Sequence, residues 1–293
     1  MAAGARGREG ARYDRARGHR GGRPAGTRVV RARDAADAVR QARTADATVV
    51  VVGERPAAEG EADSPRPELS PDQQELVRSL KETGRPVVVV VIAGRPLALG
   101  EAAGTDGLLM SWLPGTEGGH AVAGVLFGGV NPGGRLPVSW PRRTGNEPLY
   151  YQQLPGTNAG AESTHDVAYD FGDGLSYTTY RFEALGLEAA TVPAGRDARV
   201  TVRVANTGGR DGDLVVPVYV SRPVSRVLAP RRRLVAFTRT RLRAGESRTL
   251  RLTVPARALE VTPGDLDGAG TPRVEPGTYT AAVGARTATL TIT

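Results

Sequence analysis

The chain of 293 residues is long enough for two domains with separate cores, and its 40% hydrophobic content is typical of a globular protein. It contains no cysteine, which excludes disulfides and thiolate metal sites, and its three histidines at 19, 120 and 165 show no metal-ligand spacing. The formal net charge is +8, but residues 1–28 carry +6 of it, so the remainder gives no nucleic-acid-binding signal.

The amino-terminal segment, residues 1–27, is a low-complexity mixture of Arg, Gly and Ala that is predicted to be disordered. An RNA-binding role is the alternative, but Tyr13 is its single aromatic residue, and such tails stack bases on aromatic side chains. The segment has no hydrophobic stretch typical of a signal peptide, and no apolar run in the chain approaches a membrane span. A cytoplasmic location is therefore the default, with no membrane or nucleic-acid partner.

Residues 28–142 alternate helical and strand patterns. Asp34 is placed to cap a first helix, and the valine-rich run from Thr48 to Val52 predicts a strand covered on both faces. Ser70 and Pro71 form a helix start, and a second apolar strand follows at 86–92.

A third strand at 106–112 and a helix at 117–127 complete this pattern. The alternation predicts an α/β three-layer sandwich, doubly wound around a mainly parallel sheet. Gly94-Arg95-Pro96 lacks the glycine spacing of a nucleotide site, so no cofactor is predicted.

The pattern changes after residue 142. Residues 143–180 are rich in Tyr, Gly and Pro, which predicts a connector. Residues 181–293 show no helical pattern, and short alternating strands separated by turn residues predict an all-β sandwich of the immunoglobulin or fibronectin type III kind. The predicted strands are 199–205, 214–221, 234–241, 248–254 and 279–283.

Four carboxylates follow the first strand: Glu54, Glu59, Glu61 and Asp63. Ligands of open α/β sheets bind beyond the carboxyl ends of the strands, so these side chains are candidates to line a pocket. The alternative is an ordinary solvated loop.

Long ordered segments of the chain resemble the carboxyl-terminal half of bacterial β-glucosidases of glycoside hydrolase family 3. They are VVVVGE with GEADSP, PVVVVVIAGRPLAL, WLPGTEGGHAVAGVLFGGVNPGGRLPVSWPR and YDFGDGLSYTTYRF. The resemblance implies an α/β sandwich followed by a fibronectin type III-like domain, and hydrolysis of O-glycosidic bonds in a β-linked oligosaccharide or glycoside.

In the family, an aspartate nucleophile lies on a TIM-like barrel and the acid/base residue lies on the acidic loop of the sandwich domain. The resemblance implies that Glu61 is the acid/base residue, with Glu59 as the alternative. The residues before Thr27 are too few to encode a barrel, so we expect a fragment that is inactive alone and needs a separate barrel chain. A noncatalytic carbohydrate-binding or scaffolding protein is the other hypothesis.

Other polar residues have weaker claims to a functional role. Glu117 at a helix start suits a structural interaction with the helix dipole. His120 and His165 could contact sugar hydroxyls, although lone loop histidines are usually incidental. Arg95 and Arg135 each follow a glycine and are expected to tie loops together by pairing with carboxylates.

Overall fold

The computed structural model describes residues 24–55, 59–146, 149–154, 166–264 and 270–293, and at positions 59 and 61 it describes the backbone alone. Most of the predicted disordered tail and His165 therefore lie outside the described residues. The chain forms two compact units. The first comprises Met1–Val130, Val138–Leu149 and Ala161–Phe171, and the second comprises Asn131–Pro137, Tyr150–Gly160 and Gly172–Thr293.

The first unit is an α/β unit, and its first six elements follow the predicted order, whereas β4 and β5 were not predicted. The elements are α1 (Ala35–Ala42), β1 (Thr48–Gly53), α2 (Pro71–Lys81), β2 (Val87–Ile92), β3 (Gly107–Met110), α3 (Gly118–Leu126), β4 (Trp140–Pro141) and β5 (Val167–Tyr169). Strands β1, β2 and β3 form a parallel sheet in that order, whereas β4 and β5 form a separate antiparallel pair. The predicted parallel α/β architecture is therefore confirmed.

The two helices that precede and follow β1 in the chain begin at the residues that the sequence predicts. The Asp34 carboxylate accepts a hydrogen bond from the Asp37 N–H over 2.8 Å, which caps α1. The Ser70 hydroxyl accepts from the Gln73 N–H at the start of α2, directly before Pro71. Capping satisfies backbone donors that the first helical turn leaves without partners.

Strand β1 is not covered on both faces, so that prediction is wrong. Val50 and Val52 are buried, but Val49 and Val51 are each about half exposed, at 50% and 51%. Among the described strands β1 pairs with β2 alone, so it is an edge strand, and the described helices cover one of its faces. The central strand β2 fits the prediction better, because Val87, Val89, Val90 and Val91 are almost fully buried.

The second unit is a β-sandwich, as predicted. Its strands are β6 (Tyr180–Leu187), β7 (Thr191–Val192), β8 (Ala198–Asn206), β9 (Gly212–Ser221), β10 (Arg233–Leu242), β11 (Ser247–Val254), β12 (Gly277–Val283) and β13 (Arg286–Ile292). One sheet has the order β10-β9-β12-β13-β7 and the other has the order β11-β8-β6. In β9 every second residue is buried, the period-two pattern of a strand with one face in a core.

One ion pair in the β-sandwich is buried. Arg222 and Glu275 have side chains only 10% and 5% exposed, and the guanidinium donates to the carboxylate. Arg222 also donates to the Pro276 carbonyl over 3.1 Å and lies 5.2 Å from the centre of the Tyr279 ring. Burial raises the pKa of Glu275, but the hydrogen bonds and charges of Arg222 and Arg226 together outweigh burial and hold that pKa below its ordinary value.

Within the described part of the chain, no helix is both long enough and apolar enough to cross a membrane.

Candidate functional site

The candidate site is built around residues 54–69, which connect β1 to α2 and are called the acidic loop below. Glu54 is its first residue and forms a two-point ion pair with Arg95, which follows β2. The Arg95 Nε donates to one Glu54 carboxylate oxygen over 3.1 Å and the Arg95 Nη2 donates to the other over 2.7 Å. The predicted pairing of Arg95 with a carboxylate is confirmed, whereas the ion pairs among the described residues do not include Arg135.

Gln73 of α2 holds the last residue of β1. Its side-chain amide accepts from the Gly53 N–H and donates to the Gly53 carbonyl, each over 2.9 Å. Gly53 has a φ of +146°, and a Cβ atom there would lie 1.8 Å from the Ile92 carbonyl oxygen. Only glycine allows the two strand ends to approach this closely. The acidic loop therefore leaves the sheet from a fixed point.

The far end of the acidic loop is attached to residues 92–99, which comprise the last residue of β2 and the segment after it and are called the anchor segment below. The Ala98 N–H donates to the Pro67 carbonyl over 2.8 Å, and the Leu69 N–H donates to the Ala98 carbonyl over 3.2 Å. Leu69, Leu97 and Leu99 are almost fully buried. The near end is bonded to the same segment, because the Glu54 N–H donates to the Ile92 carbonyl over 3.1 Å.

Between these two ends the backbone forms a short 3₁₀ helix, Glu59–Ala62, that carries both candidate acid/base residues. The Asp63 N–H donates to the Gly60 carbonyl over 3.2 Å, and Asp63 is exposed. The structure thus places Glu59 and Glu61 on one turn of the acidic loop. Because the three strands are parallel, their carboxyl ends, and the loops that follow them, lie at one edge of the sheet.

Two tryptophans, Trp112 and Trp140, lie near the anchor segment, and the sequence did not predict this placement. The Trp140 indole N–H is buried and donates to the Leu97 carbonyl over 2.7 Å. Its ring lies 6.0 Å from that of Trp112, measured between ring centres. Trp112 follows β3 and has a φ of +53°, a left-handed conformation that is strained for a large side chain. No sequence signal identifies this backbone conformation in advance.

Two further charged pairs of the first unit lie at helix ends. Glu117 lies at the N-cap position of α3, and its carboxylate is 2.9 Å from Nδ1 of His120. Lys81 donates to the Glu101 carboxylate over 2.8 Å. The Lys81 hydrogen bond and then its charge lower the pKa of Glu101. Within the described ranges, no group of three or more His, Asp or Glu side chains could hold a metal ion.

Comparison with known proteins identifies the family. Residues 8–177 match the model of the glycosyl hydrolase family 3 C-terminal domain, and residues 214–287 match the fibronectin type III-like domain. Because the first model matches more than half of the chain, the chain belongs to glycosyl hydrolase family 3. This confirms the resemblance that the sequence motifs carry.

The chain is similar to several curated glycosidases. It is 38% identical over 240 residues to a periplasmic beta-glucosidase of Salmonella typhimurium, covering 76% of this chain and 31% of that protein. It is also 38% identical over 256 residues to a beta-xylosidase of Formosa agariphila, covering 85% of this chain and 35% of that protein. The chain thus spans about a third of the length of these relatives.

Solved structures show the same similarity. A beta-glucosidase of Erythrobacter marinus matches with a TM-score of 0.79 at 31% identity, covering 88% of this chain and 36% of that one. The beta-glucosidase of Listeria innocua in complex with gluconolactone matches with a TM-score of 0.79 at 27% identity, covering 91% of this chain and 39% of that one.

Proposed function

We propose that this chain provides the acid/base part of a β-glycoside hydrolase active site, with Glu61 as the proton donor and Glu59 as the alternative. The observation that carries the proposal is the acidic 3₁₀ helix, Glu59–Ala62, on a loop whose two ends are bonded to the anchor segment. A proton donor has to be presented in a fixed position, and this loop is fixed at both ends.

The proposed reaction needs two carboxyl groups. In retaining hydrolysis one attacks the anomeric carbon and the other protonates the leaving oxygen, and the two lie about 5 to 5.5 Å apart. We assign the second role to the acidic loop and the first to a barrel domain, as the family resemblance implies. The chain without a barrel is therefore proposed to be inactive.

The substrate class follows from the relatives. They are named beta-glucosidases and a beta-xylosidase, so we propose a β-linked glucoside or xyloside as the substrate. No cofactor takes part in the proposed reaction, because both steps use carboxyl groups and water.

The leaving group of the substrate allows a direct test of the proton donor. A dinitrophenyl leaving group departs without protonation, whereas an alkyl leaving group requires it. We expect no hydrolysis by the full chain alone, and hydrolysis of both β-glucosides once the chain is fused to a family barrel. Glu61→Gln should lower kcat/KM, which reports formation of the glycosyl-enzyme, about 100-fold or more for the alkyl glucoside and much less for the dinitrophenyl glucoside. The kcat should fall for both substrates, because the same carboxyl group is the base that activates water in the second step.

Glu59→Gln is the matched control, because it removes a carboxylate from the same 3₁₀ helix. A selective loss in Glu59→Gln alone would move the assignment to Glu59. Hydrolysis by the unfused chain, or equal losses of kcat/KM on both substrates in both variants, would refute the proposed role of the loop. Oligosaccharide binding measured by calorimetry, without hydrolysis by the fusion, would favour the noncatalytic carbohydrate-binding role.

A further inference from the structure

We propose that Arg95 is a positioning residue that holds the acidic loop in place for proton transfer. The inference rests on the proposed function, because it concerns the loop that carries the proposed acid. It assigns a role to a residue that lies outside the acidic loop and belongs to the anchor segment.

Both ends of the acidic loop are bonded to the anchor segment, but by different groups. The far end is held by two backbone hydrogen bonds to Ala98, at 2.8 and 3.2 Å. At the near end one backbone bond, from the Glu54 N–H to the Ile92 carbonyl, is supplemented by the two-point pairing of Arg95 with Glu54. Among the bonds that join the loop to the anchor segment, those at the near end therefore include a side-chain pairing.

The anchor segment is itself rigidly held. Its Leu97 and Leu99 side chains are 0% and 2% exposed, and the buried Trp140 indole donates to the Leu97 carbonyl. Movement of the acidic loop relative to the sheet therefore requires loss of bonds at the near end. A guanidinium suits this position because its planar fork binds both oxygens of a carboxylate at once and fixes its orientation.

The position of the loop matters more for protonation of the leaving oxygen than for attack on the anomeric carbon. A displacement of about 1 Å at a reacting group can cost about 100-fold in rate. In the first step, which forms the glycosyl-enzyme and sets kcat/KM, a leaving group that departs without protonation does not depend on the position of the acid. Loss of Arg95 should therefore reproduce the substrate selectivity of the Glu61→Gln variant in a weaker form.

The test compares Arg95→Met with Lys81→Met. Lys81 and Glu101 form a matched pair, because they also join two segments of the first unit. The exposures of the two pairs are also close: 34% and 40% for Lys81 and Glu101, 34% and 28% for Arg95 and Glu54. We expect Arg95→Met to lower kcat/KM of the barrel fusion about 10- to 100-fold for the alkyl glucoside. For the dinitrophenyl glucoside we expect a loss of kcat/KM below about threefold.

Arg95→Lys should recover part of the lost rate, since an ammonium retains the charge but not the two-point geometry. Lys81→Met should leave both substrates within about twofold of the parent. Equal losses of kcat/KM on both substrates in Arg95→Met, or the same pattern in Lys81→Met, would overturn the positioning role.

A second measurement does not depend on activity. Amide hydrogen exchange in the full chain should be faster across residues 54–63 in Arg95→Met and unchanged there in Lys81→Met. Unchanged exchange in Arg95→Met would refute the positioning role even if the parent fusion is active. An inactive parent fusion would refute the proposed function, while the exchange measurement would still decide whether Arg95 holds the loop.

Discussion

At the scale of single residues, Gly53 is the position where the sheet and the acidic loop meet. Its φ of +146° is unfavourable for any other residue, and its backbone is bonded to the Gln73 side chain. A side chain at this point would collide with the Ile92 backbone rather than with a movable side-chain end. The local requirement for glycine is therefore both conformational and steric.

We predict that Gly53→Ala destabilises the first unit by about 3 kcal/mol or more, because the β1 and β2 ends must separate to accept a methyl group. Urea unfolding followed by tryptophan fluorescence measures this, since both tryptophans, Trp112 and Trp140, belong to that unit. Gly119→Ala is the control, because a Cβ atom there meets no atom within 4 Å and the residue lies in α3. That variant should be more stable by about 0.5–1 kcal/mol.

In the β-sandwich, the buried pair Arg222 and Glu275 is the residue-scale feature with the largest expected effect. Glu275→Gln leaves Arg222 buried without a charged partner, so we predict a loss of about 3 kcal/mol by urea unfolding followed by circular dichroism. Glu183→Gln is the control, since Glu183 pairs with Arg203 at a more exposed site. Its cost should be about 1 kcal/mol or less.

The same pair predicts a dependence on pH. The folded-state pKa of Glu275 is lower than its ordinary value of 4.5, so its stabilisation is complete above that value. This stabilisation is lost as pH falls from about 4.5 through the lower folded-state pKa. The parent should therefore lose more stability than Glu275→Gln does over this acid range. Parallel stability curves for the two proteins would contradict the assignment.

At the scale of elements, the start of α2 both caps the helix and holds the end of β1. Its N-terminal turn is capped by Ser70, and the third residue of its sequence, Gln73, carries the side chain that holds Gly53. Fraying of the first turn would therefore release both the helix and the end of β1.

We predict that Ser70→Ala destabilises the first unit by about 1 kcal/mol, because the Gln73 N–H loses its side-chain acceptor. Ser79→Ala is the matched control in the same helix, where the hydroxyl bonds only the exposed Glu75 side chain and alanine favours helix. Urea unfolding by tryptophan fluorescence should find that control unchanged within about 0.5 kcal/mol. Equal losses in the two variants would count against the cap.

Element identity was largely predictable because burial periodicity and capping are local properties of the sequence. The runs at β1 and β2, and the Ser70-Pro71 start of α2, all lie within one or two residues of their predicted positions. The one-sided burial of β1 was not predictable, because a valine run looks the same at an edge and at the centre of a sheet. Strand β6 was missed because its alternation changes phase at a register shift between Phe182 and Ala184. Strand β13 was missed although Ala288, Leu290 and Ile292 alternate with threonines.

At the scale of the whole molecule, the family and the order of its two domain types followed from long sequence motifs, and the family models confirm them. The geometry of the candidate site was harder to predict from the sequence. The sequence placed four carboxylates after β1, and the predicted link between Arg95 and a carboxylate was found at Glu54. The double attachment of the loop could not be predicted, because its bonds join residues up to 41 positions apart.

The double attachment of the acidic loop also determines where its sequence and length can vary. With both ends bonded to one short segment, substitutions, insertions or deletions in the middle of the loop leave the strand register and the start of α2 unaltered. The middle of the loop can thus vary in sequence and length while its two points of attachment stay the same. Changes in the middle of the loop should therefore affect folding less than changes at its two attachment points.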